Sequence, residues 1–140
     1  MKPVNILLAE DDQLDVIDIR RSLAKINILF NMVVARNGDE AIEILRNKTE
    51  FAPDGIPDIA LIDINMPKMN GLELLEAIRA TEDWKNLKCF IITTSDQRVE
   101  RKMADKLGVS GYIIKPLKLT SPSSMDAFNL MIDIINLKKD

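Results

Sequence analysis

The sequence predicts an α/β fold in which a five-stranded parallel sheet carries helices on both of its faces. Five short apolar runs occur along the chain, and each is followed by a segment whose apolar residues recur at helical spacing. Strands that alternate with helices in this way are typical of parallel β-α units, and right-handed crossovers place the helices on both sides of the sheet. The length of 140 residues is that of one domain, so we expect residues 1–140 to form a single domain with no output domain.

The first two β-α units occupy the first third of the chain. Residues 4–9 are an apolar run that stops at three acids, and the following helix, at about residues 14–24, has apolar side chains along one face. Residues 30–35 have the composition of a second strand. An Asn-Gly pair then marks a turn, and apolar residues at helical spacing over 39–48 predict the second helix.

The middle of the chain contains the strand that we expect at the centre of the sheet. Residues 51–57 include two prolines and a glycine, which indicates a surface loop. Residues 58–62 are almost wholly apolar, as is typical of a strand covered on both faces. A helix is predicted over residues 72–81, and the apolar run at 89–93 predicts the fourth strand.

The last part of the chain supplies a weak helix, a short strand and a strongly apolar final helix. The weak helix is expected over residues 99–107, closed by Gly108, and the strand over 112–114. The final helix, residues 125–137, has a broader apolar face than one buried stripe needs. It is either a well-packed terminal helix or a face for a dimer or partner. Capping groups for it are available at Ser121, Pro122 and Ser123.

The composition excludes several kinds of function. The net charge is −3, which disfavours a nucleic-acid partner. The sequence has no histidine, which removes imidazole-based catalysis and imidazole metal sites. Cys89, the only cysteine, lies in an apolar run and is expected to be a buried thiol. The apolar stretches are too short to span a bilayer, so we expect a cytoplasmic protein without a membrane partner.

Polar residues follow four of the five predicted strands. In a parallel sheet these side chains meet at one edge, where the chemistry of such folds is found. Several carboxylates in close proximity repel one another unless a cation lies among them. Mg²⁺ suits a small oxygen-ligand site of this kind, and a lysine would add a second positive charge. The converging residues are Glu10, Asp11, Asp63, Thr93 and Lys115.

Four segments resemble the response-regulator receiver domains of two-component systems. They occur in the family's order and extend over nearly the whole chain, and the segment from Asp63 to Gly71, together with Lys115, is the most specific part. The resemblance implies a flavodoxin-like receiver fold. The long loop at residues 51–57 is similar to that of stand-alone receivers that serve bacterial phytochromes. The four segments are residues 6–12, 60–71, 91–95 and 111–116.

The resemblance implies that Asp63 accepts a phosphoryl group from a sensor histidine kinase or a phosphotransfer protein. The reaction would require Mg²⁺, held by Asp11 and Asp63, by Glu10 through water, and by the backbone carbonyl of Asn65. Lys115 would pair with the phosphoryl group. Such a domain is a signalling phosphoacceptor that catalyses only its own phosphorylation and dephosphorylation, and is not otherwise an enzyme.

The resemblance also implies a conformational switch. Thr93 would hydrogen-bond to the new phosphoryl group, and Tyr112 would rotate inward into the vacated space. The surface made by the fourth helix, the fifth strand and the fifth helix would change, bind a partner or support a phosphorelay, and is a candidate for homodimer formation. Asn65 and Ser95 flank the acceptor and are expected to tune the lifetime of the phosphate. Loop geometry is assigned to Pro67, Gly71 and Pro116.

Several alternatives stay open. The acidic pair is Glu10 with Asp11, which we favour, or Asp11 with Asp12; likewise Thr93 is preferred to Thr94 as the switch hydroxyl. A phosphatase with an aspartate nucleophile would need a second acid two residues after that nucleophile, where an amide stands. A carrier of a flavin phosphate is disfavoured because the acids after the first strand would repel the phosphate. A scaffold that binds partners without phosphorylation is the main rival.

Overall fold

Helices and strands alternate along the chain in the computed structural model, which describes residues 3–51, 54–122 and 124–137. Each strand is followed by a helix, as predicted, and the bounds of the elements differ from the predicted ones by no more than about one residue, within the usual uncertainty of element ends. The elements are β1 (Val4–Ala9), α1 (Gln13–Lys25), β2 (Phe30–Ala35), α2 (Gly38–Asn47), β3 (Ile59–Ile62), α3 (Gly71–Ala80), β4 (Lys88–Thr93), α4 (Arg98–Lys106), β5 (Gly111–Ile114) and α5 (Met125–Leu137).

The described strands form one parallel sheet with the order β2-β1-β3-β4-β5. β3 lies at the centre, and all of its side chains are buried, because helices cover both faces of the sheet. The register pairs Ala9 with Ile62 and Ile62 with Ile91, so the carboxyl ends of β1, β3 and β4 meet at one edge. The predicted fold class is confirmed, and this edge is where the predicted site residues lie.

Each strand contributes to two apolar cores, since successive side chains point to opposite faces of the sheet. Leu7 and Ala60 belong to the core that also contains side chains of α2 and α3. Ile6 and Leu61 belong to the core formed with α1 and α5. Burial of a large aliphatic side chain contributes about 1.5–3 kcal/mol. The two cores therefore fix the sheet, and with it the positions of the residues that follow the strands.

Two local predictions need correction. The loop predicted over residues 51–57 is not wholly a surface segment, because Phe51 is buried in the core with α2 and α3. The start of α5 is capped by Ser124, whose hydroxyl accepts a hydrogen bond from the Ala127 N–H at 3.1 Å. Of the capping groups suggested by the sequence, Ser123 lies outside the described residues. The predicted glycine closure of α4 is confirmed, since Gly108 has φ +71°.

The final helix has one buried stripe and an exposed apolar flank. Leu130 and Ile134 are fully buried against the sheet. Phe128 and Ile132 are exposed, together with Ile114 on the neighbouring β5. The helix therefore packs tightly against the sheet and also presents apolar surface, and the contact of that surface with a second copy or a partner stays a prediction. Among the described residues, no helix combines the length and the apolar character needed to cross a bilayer.

Candidate functional site

The ends of β1 and β3 place two acids beside each other. The backbone hydrogen-bond ladder of the sheet continues one residue past each of these strands. The Glu10 N–H donates to the Ala35 carbonyl at 2.8 Å, and the Asp63 N–H donates to the Ala9 carbonyl at 3.0 Å. Because these backbone groups are fixed, the two side chains are held at the edge of the sheet. Both are buried, with 1% of Glu10 and 6% of Asp63 exposed.

Three carboxylates form a cluster with the geometry of a cation site. Glu10, Asp11 and Asp63 each offer an oxygen atom, and these atoms lie within 4.8 Å of one another. Asp11 is exposed, whereas Glu10 and Asp63 are buried. A set of carboxylate oxygens with one solvent-facing member fits a hard divalent cation that retains water ligands, which is the preference of Mg²⁺.

Asp12 is not a member of this cluster. Its carboxylate accepts a hydrogen bond from the Leu14 N–H at 2.9 Å and thereby caps the first turn of α1. Of the two acidic pairs that the sequence left open, the structure thus brings Glu10 and Asp11 to Asp63 and assigns Asp12 to the helix.

Lys115 extends from the end of β5 into the middle of the acids. Its Nζ atom lies 3.1 Å from Asp63 Oδ2 and 2.5 Å from Glu10 Oε1. A third acid, Asp15 of α1, has its Oδ2 atom 2.6 Å from the same Nζ. The lysine side chain is 9% exposed, and the peptide bond that joins it to Pro116 is cis. The predicted approach of Lys115 to the acids is present, with one acid more than the sequence indicated.

The proton affinities of Lys115 and Glu10 reflect this crowding. Burial lowers the pKa of Lys115, but hydrogen bonds to Asp15, Glu10 and Asp63 outweigh it, so that the pKa stands above its ordinary value and the ammonium is retained. Burial raises the pKa of Glu10 to about 7, helped by the charge of Asp63 and opposed by the hydrogen bond from Lys115. Since one ammonium lies among three carboxylates, the group has an excess of negative charge, which favours a bound cation.

A second hydrogen-bonded group lies at the end of β4. The Thr93 hydroxyl, fully buried, accepts from the Ser95 N–H at 3.2 Å. The Ser95 carbonyl accepts from the Tyr112 hydroxyl at 3.0 Å, and the Ser95 hydroxyl is hydrogen-bonded to the Glu100 carboxylate of α4. Thr94 is exposed and lines a neighbouring cavity with Lys115. The structure thus joins Thr93, Ser95 and Tyr112 through one loop.

Tyr112 is oriented differently from the sequence expectation. The expected rotation starts from an outward ring, whereas here the tyrosine is 2% exposed and its hydroxyl is already bonded to the loop. The reason is that α4 covers it, since the Arg101 guanidinium carbon lies 5.3 Å from the centre of the ring. Burial, with the nearby charge of Glu100, raises the pKa of the phenol. This structure therefore already has the inward ring.

The loop after Asp63 is shaped by close backbone packing. The Asn65 N–H donates to Asp63 Oδ1 at 3.3 Å, while the Asn65 side chain is exposed. A Cβ atom added to Gly71 would lie 2.2 Å from the Asp63 carbonyl oxygen, so only glycine fits. Asn70 caps α3 in a reciprocal arrangement with Glu73, and Pro67 lies exposed on the loop.

Sequence reasoning missed Asp15 and Glu100. Each lies on a helix and contacts a residue beyond the end of a strand, and such pairs leave no local pattern. Asp15 is separated from Lys115 by 100 positions. One signal was available, since Asp15 lies in the first turn of α1, directly after the acids that end β1. The position of Asp15 in the first turn of α1 predicts that its carboxylate lies near the same edge of the sheet. It does not predict that Lys115 is the partner.

The fold and the site together define a doubly wound α/β domain with an acidic cation site and a buried lysine at the carboxyl edge of its sheet. Residues 6–122 match the model of the response regulator receiver domain family. The chain belongs to this family, which confirms the resemblance seen in the sequence motifs. It is accordingly a receiver domain of the two-component type.

Curated relatives support the same assignment. The response regulator Rcp1 of Synechocystis is 29% identical over 117 residues, which are 84% of this chain and 80% of Rcp1. The sensor histidine kinase CheAY of Helicobacter pylori is 33% identical over 111 residues, or 79% of this chain. The match spans only 13% of CheAY and 46% of the regulator MprA from Mycobacterium. The chain therefore corresponds to one part of several of these relatives.

Solved structures of response regulators share the fold, and two of the three described next are regulators of phytochromes. The phosphorylated cyanobacterial regulator RcpA has a TM-score of 0.74 and 28% identity, covering 99% of this chain and 93% of that one. The Mn²⁺-bound form of Rcp1 has a TM-score of 0.74 and 27% identity, with 98% and 96% covered. The bacteriophytochrome regulator AtBRR has a TM-score of 0.76 and 26% identity, with 97% and 94% covered.

Proposed function

We propose that this receiver domain accepts a phosphoryl group on Asp63 in a Mg²⁺-dependent reaction with a histidine kinase or a phosphotransfer protein. The observation that carries the proposal is the position of Asp63 Oδ2, 3.1 Å from Lys115 Nζ, while Glu10 and Asp11 provide oxygens within 4.8 Å. The nucleophilic carboxylate of Asp63 thus lies beside a fixed cation, the Lys115 ammonium, and within a cluster of acids that can bind a metal ion. RcpA, a structural relative, has been crystallised in a phosphorylated form.

The chemistry follows from these contacts. An Asp63 oxygen attacks the phosphorus of a phosphohistidine, a new P–O bond forms, and the P–N bond breaks with its electron pair passing to the imidazole nitrogen. Lys115 pairs with the phosphoryl oxygens, and the Asn65 N–H holds the other carboxylate oxygen of Asp63. Mg²⁺, when bound by Glu10, Asp11 and Asp63, neutralises charge at the phosphoryl group. A Mn²⁺-bound form is known for the relative Rcp1.

The loop that joins Thr93, Ser95 and Tyr112 is the proposed route from the phosphoryl group to the surface. If the Thr93 hydroxyl turns to the phosphoryl group, it gives up its bond to the Ser95 N–H, and Ser95 connects directly to α4 through Glu100. The readout surface is formed by α4, β5 and α5. Its exposed apolar side chains suit a protein partner or a second copy of the chain, and they are Val99, Met103, Ile114, Phe128 and Ile132.

Asn65 and Ser95 are proposed to tune the lifetime of the aspartyl phosphate, to different extents. The Asn65 side chain is exposed beside the acceptor and can control the approach of water. The Ser95 hydroxyl is engaged with Glu100, so its influence is expected to run through the position of the loop. Replacement of Asn65 should therefore change the dephosphorylation rate more than replacement of Ser95 does.

The proposal is tested by incubating the protein with acetyl phosphate, with and without Mg²⁺, and measuring the intact mass. We expect one phosphoryl addition that requires Mg²⁺ and is absent in Asp63→Asn. Asp12→Asn is the matched control, because it makes the same change in a neighbouring acid and asparagine still caps α1. Full modification of Asp63→Asn would place the acceptor elsewhere. An unmodified wild-type protein would favour the phosphorylation-independent scaffold.

A further inference from the structure

Lys115 has no free donor in this structure. An ammonium group has three N–H donors, and the three short contacts of Nζ are to Glu10, Asp15 and Asp63, at 2.5, 2.6 and 3.1 Å. A phosphoryl group on Asp63 adds about 1.5 to 2 negative charges and three acceptor oxygens. For Lys115 to donate to one of those oxygens, one of its present partners has to leave.

The three partners differ in how readily they can be released. Glu10 has a side chain that is 1% exposed and belongs to the proposed cation site. Asp63 is the proposed acceptor, and its side chain is 7% exposed. The Asp15 side chain is 30% exposed and is held on a helix rather than at a strand end. Water can solvate a carboxylate that is released at Asp15, whereas it cannot reach Glu10, so Asp15 is released at the lowest cost.

We propose that Asp15 is an exchangeable partner of Lys115, which holds the ammonium in the unphosphorylated protein and is displaced by the phosphoryl group. Asp15 is thus a positioning residue that acts through Lys115, and the inference rests on the function proposed for Asp63. A cavity of about 260 Å³ lies beside this contact, lined in part by Asp15, Asp18, Thr94 and Lys115. It gives the displaced carboxylate a place to be hydrated.

The consequence is a competition that lowers the affinity of the site for a phosphoryl group. Asp15 also adds a negative charge close to the incoming anion. Removal of that charge should therefore strengthen the binding of a phosphoryl mimic at saturating Mg²⁺. Because the ion pair is partly exposed, its contribution is modest, and we expect an effect of about fivefold.

The experiment measures the affinity of beryllofluoride by isothermal titration calorimetry at saturating Mg²⁺. We expect Asp15→Asn to bind beryllofluoride about fivefold more tightly than the wild type. Asp18→Asn is the matched control, since Asp18 lies one turn further along α1 and lines the same cavity, and the ion pairs that the structure gives for Lys115 do not include it. This variant removes the same charge without touching the lysine, so it should change the affinity by less than about twofold.

The dependence on Lys115 is tested in a second pair of proteins. In a Lys115→Gln background, Asp15→Asn should change the beryllofluoride affinity no more than Asp18→Asn does. The reason is that the ammonium for which Asp15 and beryllofluoride compete is then absent. An equal effect of Asp15→Asn with and without the lysine would overturn the inference. Weaker beryllofluoride binding in Asp15→Asn would do the same, since it would show that Asp15 assists the site.

Failure of the inference and failure of the proposed function give different results. If wild type binds beryllofluoride with Mg²⁺ and is phosphorylated on Asp63, while Asp15→Asn behaves as Asp18→Asn does, only the role of Asp15 is wrong. If wild type neither binds beryllofluoride nor gains a phosphoryl group, the function proposed for Asp63 is wrong, and the role of Asp15 is refuted with it. Thermal denaturation of each variant confirms that the fold is retained.

Discussion

Two cations illustrate two ways in which this domain uses charge. Lys115 lies at the carboxyl edge of the sheet among three carboxylates. Arg79 lies at the end of α3 and donates to four backbone carbonyls, with Nε 2.6 Å from Leu107, Nη1 2.7 Å from Leu87 and 3.1 Å from Lys85, and Nη2 3.1 Å from Gly108. The first cation has ionised side chains as partners, and the second has uncharged main-chain groups.

The difference separates a region that can change from one that is fixed. Carboxylates can exchange an ammonium for a metal ion or be displaced by another anion, as proposed for Asp15. The carbonyls of Leu107 and Gly108 at the end of α4 both accept from Arg79, because a planar guanidinium can satisfy several carbonyls at once. Arg79 therefore ties α4 to the chain before β4, while Lys115 is available for chemistry.

The largest expected effect comes from a substitution next to the acceptor. Gly71→Ala places a Cβ atom 2.2 Å from the Asp63 carbonyl oxygen, and a backbone atom cannot move away as a side chain can. We expect the free energy of unfolding to fall by about 3 kcal/mol or more, measured by urea denaturation. Gly108→Ala is the control in the Arg79 region, where the nearest atom is 3.8 Å away. Its positive φ should cost only about 1–2 kcal/mol. Equal losses would contradict the comparison.

Removal of Arg79 should affect stability without affecting the acceptor. Arg79→Ala removes the guanidinium donor from the Leu107 carbonyl and leaves the Leu87 carbonyl only the weak donor of the Cys89 thiol. We expect a loss of about 2–3 kcal/mol in the free energy of unfolding. Beryllofluoride affinity at saturating Mg²⁺ should stay within about twofold of wild type, because the hydrogen bonds of Arg79 within the described residues go to backbone carbonyls and not to the acids of the site. Arg46→Ala, which removes only an exposed pair with Glu43, should change stability by less than about 0.5 kcal/mol.

Mg²⁺ should stabilise the acidic region and not the Arg79 region. At ten times the dissociation constant, a ligand of the folded state adds about 1.4 kcal/mol, which is measurable by urea denaturation with and without the ion. Asp11→Asn, which replaces one charged carboxylate of the cluster by a neutral amide, should lose most of this increment at the same Mg²⁺ concentration. Asp12→Asn and Arg79→Ala should retain it. An undiminished increment in Asp11→Asn would place the ion elsewhere.

The smallest expected effect is a pH dependence in the Arg79 region. Burial raises the pKa of the Cys89 thiol from 9.0 to about 11, opposed by the nearby charge of Arg79. Since the raised pKa belongs to the folded state, the contribution of the thiol to stability is complete below pH 9 and is lost as the pH rises towards 11. Between pH 8 and pH 10 the wild type should lose about 1 kcal/mol more than Cys89→Ala. Equal losses in the two proteins would show that the thiol titrates normally.

The fold was predictable because its signals are local. The bounds of β3 follow from an uninterrupted apolar run, and the meeting of Asp63 with Glu10 follows from parallel strands that end at one edge. The resemblance to the family motifs then suggested a role for each of the polar residues at the carboxyl edge of the sheet. The convergence of Lys115 on these acids was predicted because the strands of a parallel sheet end at one edge.

The parts that sequence reasoning missed depend on contacts between distant elements. Asp15 belongs to α1 and its partner follows β5, so no periodicity connects them. The inward position of Tyr112 depends on the packing of α4 over it, including Arg101, and strand alternation does not contain that information. Arg79 has the same character, because its carbonyl partners are defined only once α4 is in place.

The two loops that flank the acceptor differ in mechanical stiffness. Main-chain hydrogen bonds hold the segment after Asp63 in place. The Gly71 N–H donates to the Ile64 carbonyl and the Gly38 N–H donates to the Met69 carbonyl, both at 2.9 Å. The segment after Thr93 is restrained by side chains that can rotate about single bonds. A displacement that starts at Asp63 is therefore resisted by the segment on the side of α2 and is transmitted more easily through the segment on the side of α4.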